Sequence, residues 1–274
     1  MQLHNCILSV KDADGAVIID HSLIRQHIVD HFRNLLNGSS QVYQPQVQQI
    51  GDFLPCALDA DQTLSLSRPI TEVEIRTTMF SLATGKALGP DGFNVDFFKA
   101  NWDIIGPSIT SAITNFFETG MLLKEINTTI LAPVPKIPNA LAMSDFRPIA
   151  CCNTVYKCIT KILANRIAVV LPTLISPPQS AFVKGRRISD NIMLAQELFA
   201  SFHHDPYLPK CAIKVDFQKA YDTLEWGFLE VVFQAFGFPS FFTKLIMLCV
   251  SSPFFSISIN GELHGFFGSS RGIR

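Results

Sequence analysis

A chain of 274 residues, 48% of them apolar and with a mean hydropathy of +0.26, has ample material for a core, in one large domain or two modest ones. Its most apolar stretch, Phe236 to Phe255, is broken by Pro239, Lys244, Pro253 and several serines, and the N-terminus lacks the order of a signal peptide, so neither a membrane span nor secretion is expected. The net charge of −1 argues at first sight against a nucleic-acid partner, but its distribution reverses that: residues 1–79 hold five Lys/Arg against nine Asp/Glu, whereas residues 124–187 hold nine Lys/Arg against Glu125 and Asp145 alone.

In chain order, Asp12-Ala-Asp-Gly15 is a turn signal, and Ile24, Ile28, Phe32 and Leu35 then recur at helical spacing between a candidate cap, Ser22, and Asn37-Gly38. A Gln/Ser-rich stretch from Ser39 to Gln49 reads as a linker, so the first seventy residues are expected to form a separate element. Thr71-x-x-Glu74 is a capping box opening a helix to about Leu82. Helices are expected near Asn94–Lys99, Pro107–Glu118, Asn153–Leu171 and Ser189–Phe202, with a strand from Thr128 to Val134. Lys157, Lys161 and Arg166 could all lie on a solvated helix face, or belong to a phosphate-binding one.

An apolar run, Cys211, Ala212, Ile213 and Val215, predicts a strand ending on Asp216. A carboxylate at the end of a buried strand is costly unless something pairs with it, and in phosphoryl chemistry the usual partner is a divalent cation. The simpler alternative is a strand end before a helix whose N-terminus favours Asp222 and Glu225. Helices over Leu224–Phe236 and Phe241–Val250 follow, then a hairpin in which Phe255–Ile259 and Leu263–Phe267 flank the type I′ signal Asn260-Gly261. Strands mixed with helices without a βαβ rhythm indicate an α+β fold. The seven cysteines have no zinc-type spacing and read as buried thiols of an intracellular, nuclear or cytoplasmic, protein. Gly85 to Gly92 lacks the spacing of a phosphate loop, His203-His204-Asp205 lacks a helical metal-site spacing, and Ser180 and Ser270 have no nucleophile-elbow context.

The string K-V-D-F-Q-K-A-Y-D-T, from Lys214 to Thr223, resembles the first catalytic motif of reverse transcriptases, in particular those of LINE-type (non-LTR) retrotransposons of plants. Further motifs resemble the same family in the same order: Gly85–Gly92, Pro135–Asn139, Ser144–Asn153, Tyr156–Arg166, Gln179–Arg186 and Asp190–Ile192. The resemblance implies a right-hand polymerase: mostly helical fingers over residues 71–209 and a partial palm over 210–274, after a connector over 1–70. It implies an RNA-directed DNA polymerase with an RNA template, a DNA primer and dNTP, using Mg²⁺, with Mn²⁺ as an alternative. Asp216 would be the catalytic metal ligand, with the Phe217 carbonyl near a second ion. Tyr221 would pack under the sugar of the nucleotide and exclude a 2′ hydroxyl; its alternative is ordinary packing at a helix start. Lys136 and Arg147 would grip the triphosphate, unless Arg147 forms a buried pair with Asp145. Gln179, Lys184, Gly185, Arg186 and Arg187 would lie along the template, or form a plain basic loop.

The family continues into a Gln-Gly-Asp-Pro motif and an aromatic-x-Asp-Asp motif, whereas this sequence ends at Arg271-Gly-Ile-Arg274 and contains no adjacent Asp pair. A two-metal site needs carboxylates from both places, holding ions about 3.5–4 Å apart. The expectation is therefore an incomplete fragment, inactive alone; the rival is a dead retroelement remnant that at most binds nucleic acid weakly.

Overall fold

In the computed structural model, which describes residues 6–38, 45–200, 202, 211–217 and 219–273, the helices and strands collect around two apolar cores. A short hairpin, β1 (Val10–Lys11) and β2 (Val17–Ile18), precedes helices α1 (His21–Leu36), α2 (Val47–Gly51), α3 (Ala60–Ser67), α4 (Glu72–Ser81), α5 (Val95–Ala100) and α6 (Trp102–Thr119). Strands β3 (Thr128–Pro135) and β4 (Phe146–Cys152) follow, then α7 (Thr154–Leu174), α8 (Ile188–Ala200), α9 (Ala220–Thr223), α10 (Trp226–Ala235) and α11 (Ser240–Ser251). The last elements are β5 (Phe254–Ile259) and β6 (Glu262–Gly268). The four long strands form one mixed sheet in the order β4-β3-β5-β6, with β3 parallel to β5 and both outer pairs antiparallel. The α+β expectation holds.

The first core is helical. Ile75 and Met79 of α4, Ile113 and Phe116 of α6, Ile159 and Ile162 of α7, and Phe242 and Leu245 of α11 meet in it. The second core lies between α1 and the sheet: Ile24, Ile28, Phe32 and Leu36 pack on Leu131, Phe255, Ile257, Ile259 and Phe267. That corrects the separate N-terminal element, because α1 and the four-stranded sheet bury one another's apolar faces. The helix begins at Asp20 rather than Ser22, since the Asp20 carboxylate accepts from the Ser22 and Leu23 N–H groups at 2.8 and 3.0 Å. Part of the expected linker, residues 39–44, lies outside the described residues, and α2 begins within its remainder.

The Asn260-Gly261 turn forms as expected, with φ of 52° and 94°. The Asn260 amide also brackets Ile7, accepting from its N–H at 2.8 Å and donating to its carbonyl at 3.0 Å. β4 was not anticipated, because Pro148 interrupts a short apolar run. As an edge strand it tolerates a proline that a two-sided ladder would reject. The opposite error concerns residues 211–217, which form no strand and are exposed, with Ile213, Val215 and Phe217 at 84%, 76% and 82%. Local apolarity alone makes no strand. Among the described residues nothing pairs with this one.

Arg166 is the largest departure from the expected charge pattern. It is buried, and its guanidinium takes Glu74 bidentately, Nε to Oε1 at 3.0 Å and Nη2 to Oε2 at 2.9 Å. It also donates to the carbonyls of Leu66, Arg68 and Pro69 at 3.4, 2.8 and 3.3 Å, so α7 is bolted to the start of α4 and the turn before it. Only half of the capping box forms: Thr71 Oγ1 accepts the Glu74 N–H, while the Glu74 carboxylate turns to Arg166. Burial alone would raise the Glu74 carboxyl, but the Arg166 hydrogen bond and charge, aided by Arg68, outweigh it and leave it below its ordinary value. The stabilisation is therefore present above the unfolded pKa of about 4.3 and is lost as pH falls through the lower folded value. Removing one partner of a buried pair typically costs about 3–5 kcal/mol. Urea unfolding of Arg166→Ala should show a loss of that order, against less than about 0.5 kcal/mol for the exposed Lys161→Ala.

Candidate functional site

The β3–β4 ladder runs out where Val134 faces Arg147 and Pro135 faces Phe146. Just beyond it the Lys136 N–H donates to the Asp145 carbonyl at 2.8 Å, and Lys136 Nζ to the Ser144 carbonyl at 2.8 Å. The Asp145 carboxylate accepts from the Ala142 and Leu141 N–H groups at 3.0 and 3.3 Å, closing the tight turn Met143–Asp145. Asp145 thus serves its own turn. Arg147 stands exposed on the edge strand, and the buried Arg147–Asp145 pair does not form.

The second side of the site is α9. Lys219 precedes it in a left-handed conformation (φ 54°), and its carbonyl accepts from the Asp222 N–H at 2.8 Å. The segment Ser270–Ile273 holds this turn in place. Ile273 N–H donates to the Tyr221 carbonyl and Gly272 N–H to the Leu224 carbonyl, both at 2.7 Å, and the Trp226 indole donates to the Gly272 carbonyl at 2.7 Å. Gly272 has φ +82°, and a Cβ there would lie 2.8 Å from the Asp222 carbonyl oxygen, so the position requires glycine. The same segment grips the end of α1: the Ser270 and Arg271 N–H groups donate to the Leu36 carbonyl at 3.0 and 3.3 Å, and Arg271 Nε to the Leu35 carbonyl at 3.0 Å.

These three segments enclose a cleft of about 510 Å³, lined by His31, Phe32 and Leu35 of α1, by Lys136, Met143 and Arg147, and by Lys219, Tyr221 and Asp222. Three residues singled out in separate motifs, Lys136, Arg147 and Tyr221, therefore share one concavity. Lys219 and His31 were missed. Lys219 lies inside the catalytic-type motif but carried no chemical signal, and nothing in the sequence connects His31 to residues a hundred positions away. Burial, together with the charges of Lys219 and His27, holds the His31 imidazole down at about 4, so it is neutral near pH 7. The cleft suits a polyanion: Arg offers a planar fork to phosphate oxygens and the lysines offer point charges.

Asp216 lies outside this lining, in the exposed segment before Lys219, so its carboxylate is not the end of a buried strand. Among the described residues no three His, Cys, Asp or Glu side chains gather closely enough to hold a metal ion. A single exposed carboxylate does not fit a two-metal site. Phe217 is exposed beside it, and Tyr221 sets its ring edge-on to Phe182 at 6.5 Å.

The template-type loop divides into two kinds of residue. The Arg186 guanidinium donates to four carbonyls, those of Pro172, Ile175, Ser176 and Gln179, at 3.0, 2.6, 2.6 and 2.8 Å. It thereby closes the C-terminal end of α7, which corrects the picture of a free template contact. Gly185 has φ +88° with open space around it, so backbone conformation, not crowding, calls for glycine. Lys184 and Arg187 are exposed, as is Gln179, whose amide donates to the Ala181 carbonyl at 3.4 Å. Asn191 ties α8 to this loop through the Pro178 carbonyl and Ser180 Oγ, at 2.8 and 3.1 Å. The Gly85–Gly92 stretch rests on the start of α7: Asn153 accepts from the Asp91 N–H at 3.1 Å, and a Cβ on Gly89 would lie 2.4 Å from Asn153 Oδ1. His203-His204-Asp205 lies outside the described residues. Cys56 and Cys211 are exposed and Cys6 partly so, against the expectation of buried thiols; only Cys151, Cys152, Cys158 and Cys249 are buried.

The profile of the reverse transcriptase (RNA-dependent DNA polymerase) family matches residues 134–274. The chain belongs to the reverse transcriptase family. It is also similar to a Xenopus laevis protein described as "Transposon TX1 uncharacterized 149 kDa protein", with 27% identity over 261 residues. That similarity covers 95% of this chain and 20% of the other, so the chain spans about a fifth of its relative's length. It extends over α1 and the Gly85–Gly92 loop, both outside the family profile. The activity characteristic of the family is RNA-directed DNA polymerisation, and the motif resemblance to a transposon enzyme agrees with the relative's description.

The two kinds of loop residue should separate by experiment. Arg186→Ala is expected to lower the melting temperature and increase hydrogen exchange across residues 172–187. Lys184→Ala and Arg187→Ala should leave the melting temperature within about a degree or two while weakening RNA binding, since exposed substitutions cost little stability. Equal melting temperatures for all three variants would contradict this division.

Proposed function

We propose that this chain provides the nucleotide-gripping fingers and the start of the palm of a LINE-type retrotransposon reverse transcriptase. One observation carries the reading: Lys136, Arg147 and Tyr221, drawn from separate motifs, line a single cationic cleft. The triphosphate of a dNTP lies on Arg147, Lys136 and Lys219, and Tyr221 packs under its sugar and rejects a 2′ hydroxyl. The RNA template, paired to a DNA primer, passes Gln179, Gly185, Lys184 and Arg187. Asp216 serves a Mg²⁺ or Mn²⁺ ion only in company with carboxylates that the described residues do not supply. A plant origin rests on the motif resemblance alone. The unpaired cysteines and the absence, among the described residues, of a helix long and apolar enough to cross a membrane are compatible with an intracellular location, nuclear or cytoplasmic.

A second reading is favoured by the exposed, solitary Asp216: a remnant without polymerase activity that binds nucleic acid weakly. Both readings predict no primer extension by this chain alone with Mg²⁺ or Mn²⁺. Templated dNTP incorporation abolished by Asp216→Ala would overturn that expectation.

The readings part on nucleotide binding. A fluorescent dNTP should bind, and Arg147→Ala should weaken it on the order of tenfold or more, because a charge-assisted hydrogen bond contributes about 1.5–3 kcal/mol. A remnant with a degraded cleft shows no dNTP binding, or binding indifferent to Arg147. RNA should bind at the non-specific level of about 10⁻⁴–10⁻⁶ M and weaken steeply with salt. A filter-binding titration indifferent to salt would remove the exposed cations from the interface.

A further inference from the structure

One wall of the cleft lies outside the part of the chain that matches the family profile. That match begins at residue 134, whereas His31, Phe32 and Leu35 come from α1, which reaches the site because Ser270 and Arg271 hold its C-terminal end there. His31 is half-buried, its ring edge-on to Phe32 at 5.3 Å. The charged groups sharing the cleft with it are Lys219 just before α9, Asp222 within it, Arg147 from β4 and Lys136 just past β3; His27 precedes it by one turn on α1.

The other charged groups on elements packed against α1 are engaged elsewhere. Glu262 of β6 contacts both Arg25 and His264, at 3.3 and 3.4 Å. Asp30 pairs with Arg33 at 3.1 Å, and Arg271 lies 3.9 Å from Glu225. β5 carries no charged side chain.

Without a ligand an imidazolium here would be partly desolvated, with Lys219 and His27 repelling it, so the ring stays neutral. A polyphosphate reverses the sign of that field. Its oxygens would sit among Arg147, Lys136 and Lys219, and their negative charge would favour a proton on the ring. We propose that His31 is a proton-coupled phosphate-binding residue of this cleft, neutral when the cleft is empty and protonated, as an N–H donor to a phosphate oxygen, when a polyphosphate is bound. The proton comes from bulk water, one ring N–H bond forms, and no bond of the phosphate breaks. The inference rests on reading the cleft as the triphosphate site, and it adds a residue from the N-terminal helix to that site.

The consequence is that polyphosphate affinity rises as the solution becomes more acidic, against the trend set by the ligand, which loses charge. The test uses the whole chain and inorganic tripolyphosphate, with imidazole NMR and calorimetry. His31 should titrate near 4 in the free protein and move to about 6.5 or above when tripolyphosphate saturates the cleft. The affinity advantage of wild type over His31→Gln should then grow about tenfold between pH 7.5 and pH 5.5.

Lys219→Asn provides a second handle, because Asn accepts the left-handed backbone there. It should raise the His31 midpoint in the free protein by removing a repelling cation. If tripolyphosphate binds but the His31 resonances do not move, or if His31→Gln keeps the wild-type pH dependence, the inference is overturned while the cleft stands. If tripolyphosphate fails to bind at any pH and Arg147→Ala changes nothing, the triphosphate reading falls and takes the inference with it.

Discussion

The short segment Ser270–Ile273 ties the C-terminal end of α1 to the α9 turn. Its first two N–H groups and the Arg271 guanidinium satisfy carbonyls at the end of α1, which a helix leaves without intrahelical partners. Its last two N–H groups take carbonyls of the α9 turn. Backbone hydrogen bonds are directional and a few ångströms long, so this bridge fixes both the distance and the orientation of α1 relative to Tyr221. The cleft is the space between. Gly272 is the hinge of the arrangement, because a side chain there would collide with the turn it holds. Site geometry in this protein is thus a product of main-chain bonding at a chain position far from any catalytic-type motif.

Charge is divided with similar economy. Of the nine cations between residues 124 and 187, two are structural: Arg166 joins α7 to α4, and Arg186 closes the other end of α7. Both are arginines using a planar fork on several acceptors at once, which a lysine could not reproduce. Several others, including Lys136, Arg147, Lys184 and Arg187, are exposed. A basic stretch of sequence is therefore a mixture, and net charge by itself overstates the surface available to phosphate. The helical core and the exposed basic surface draw on the same residue type for opposite reasons, one for burial with satisfied hydrogen bonds and one for exposure.

What could be read in the sequence follows from how local each cause is. The Asn260-Gly261 hairpin, the Thr71 cap and the helix ending at Asn37 depend on a few neighbouring residues, and each formed near its expected place. The strand expected over residues 211–216 depended on a ladder partner, which no local pattern guarantees. β4 was hidden by Pro148, whose tolerance depends on the strand lying at an edge. Arg166 was open to an outward reading because its partner, Glu74, is remote in sequence. In the site, motif resemblance brought out Lys136, Arg147 and Tyr221 together, while Lys219 and His31 belong to the cleft only through tertiary folding. The helix α1 was read as part of a separate element for the same reason: its apolar stripe was visible, but not the sheet it covers.

The position of Arg147 has a further consequence for the behaviour of the chain in solution. β4 is the outer strand of the sheet, and among the described residues no strand is laddered to its outer side. Such an edge is a template for another strand, and proteins guard it with proline and with long charged side chains. Pro148 removes a donor from this edge and Arg147 sets a solvated charge beside it. The residue proposed to grip phosphate is thus also one that makes this border of the sheet a poor template for another strand.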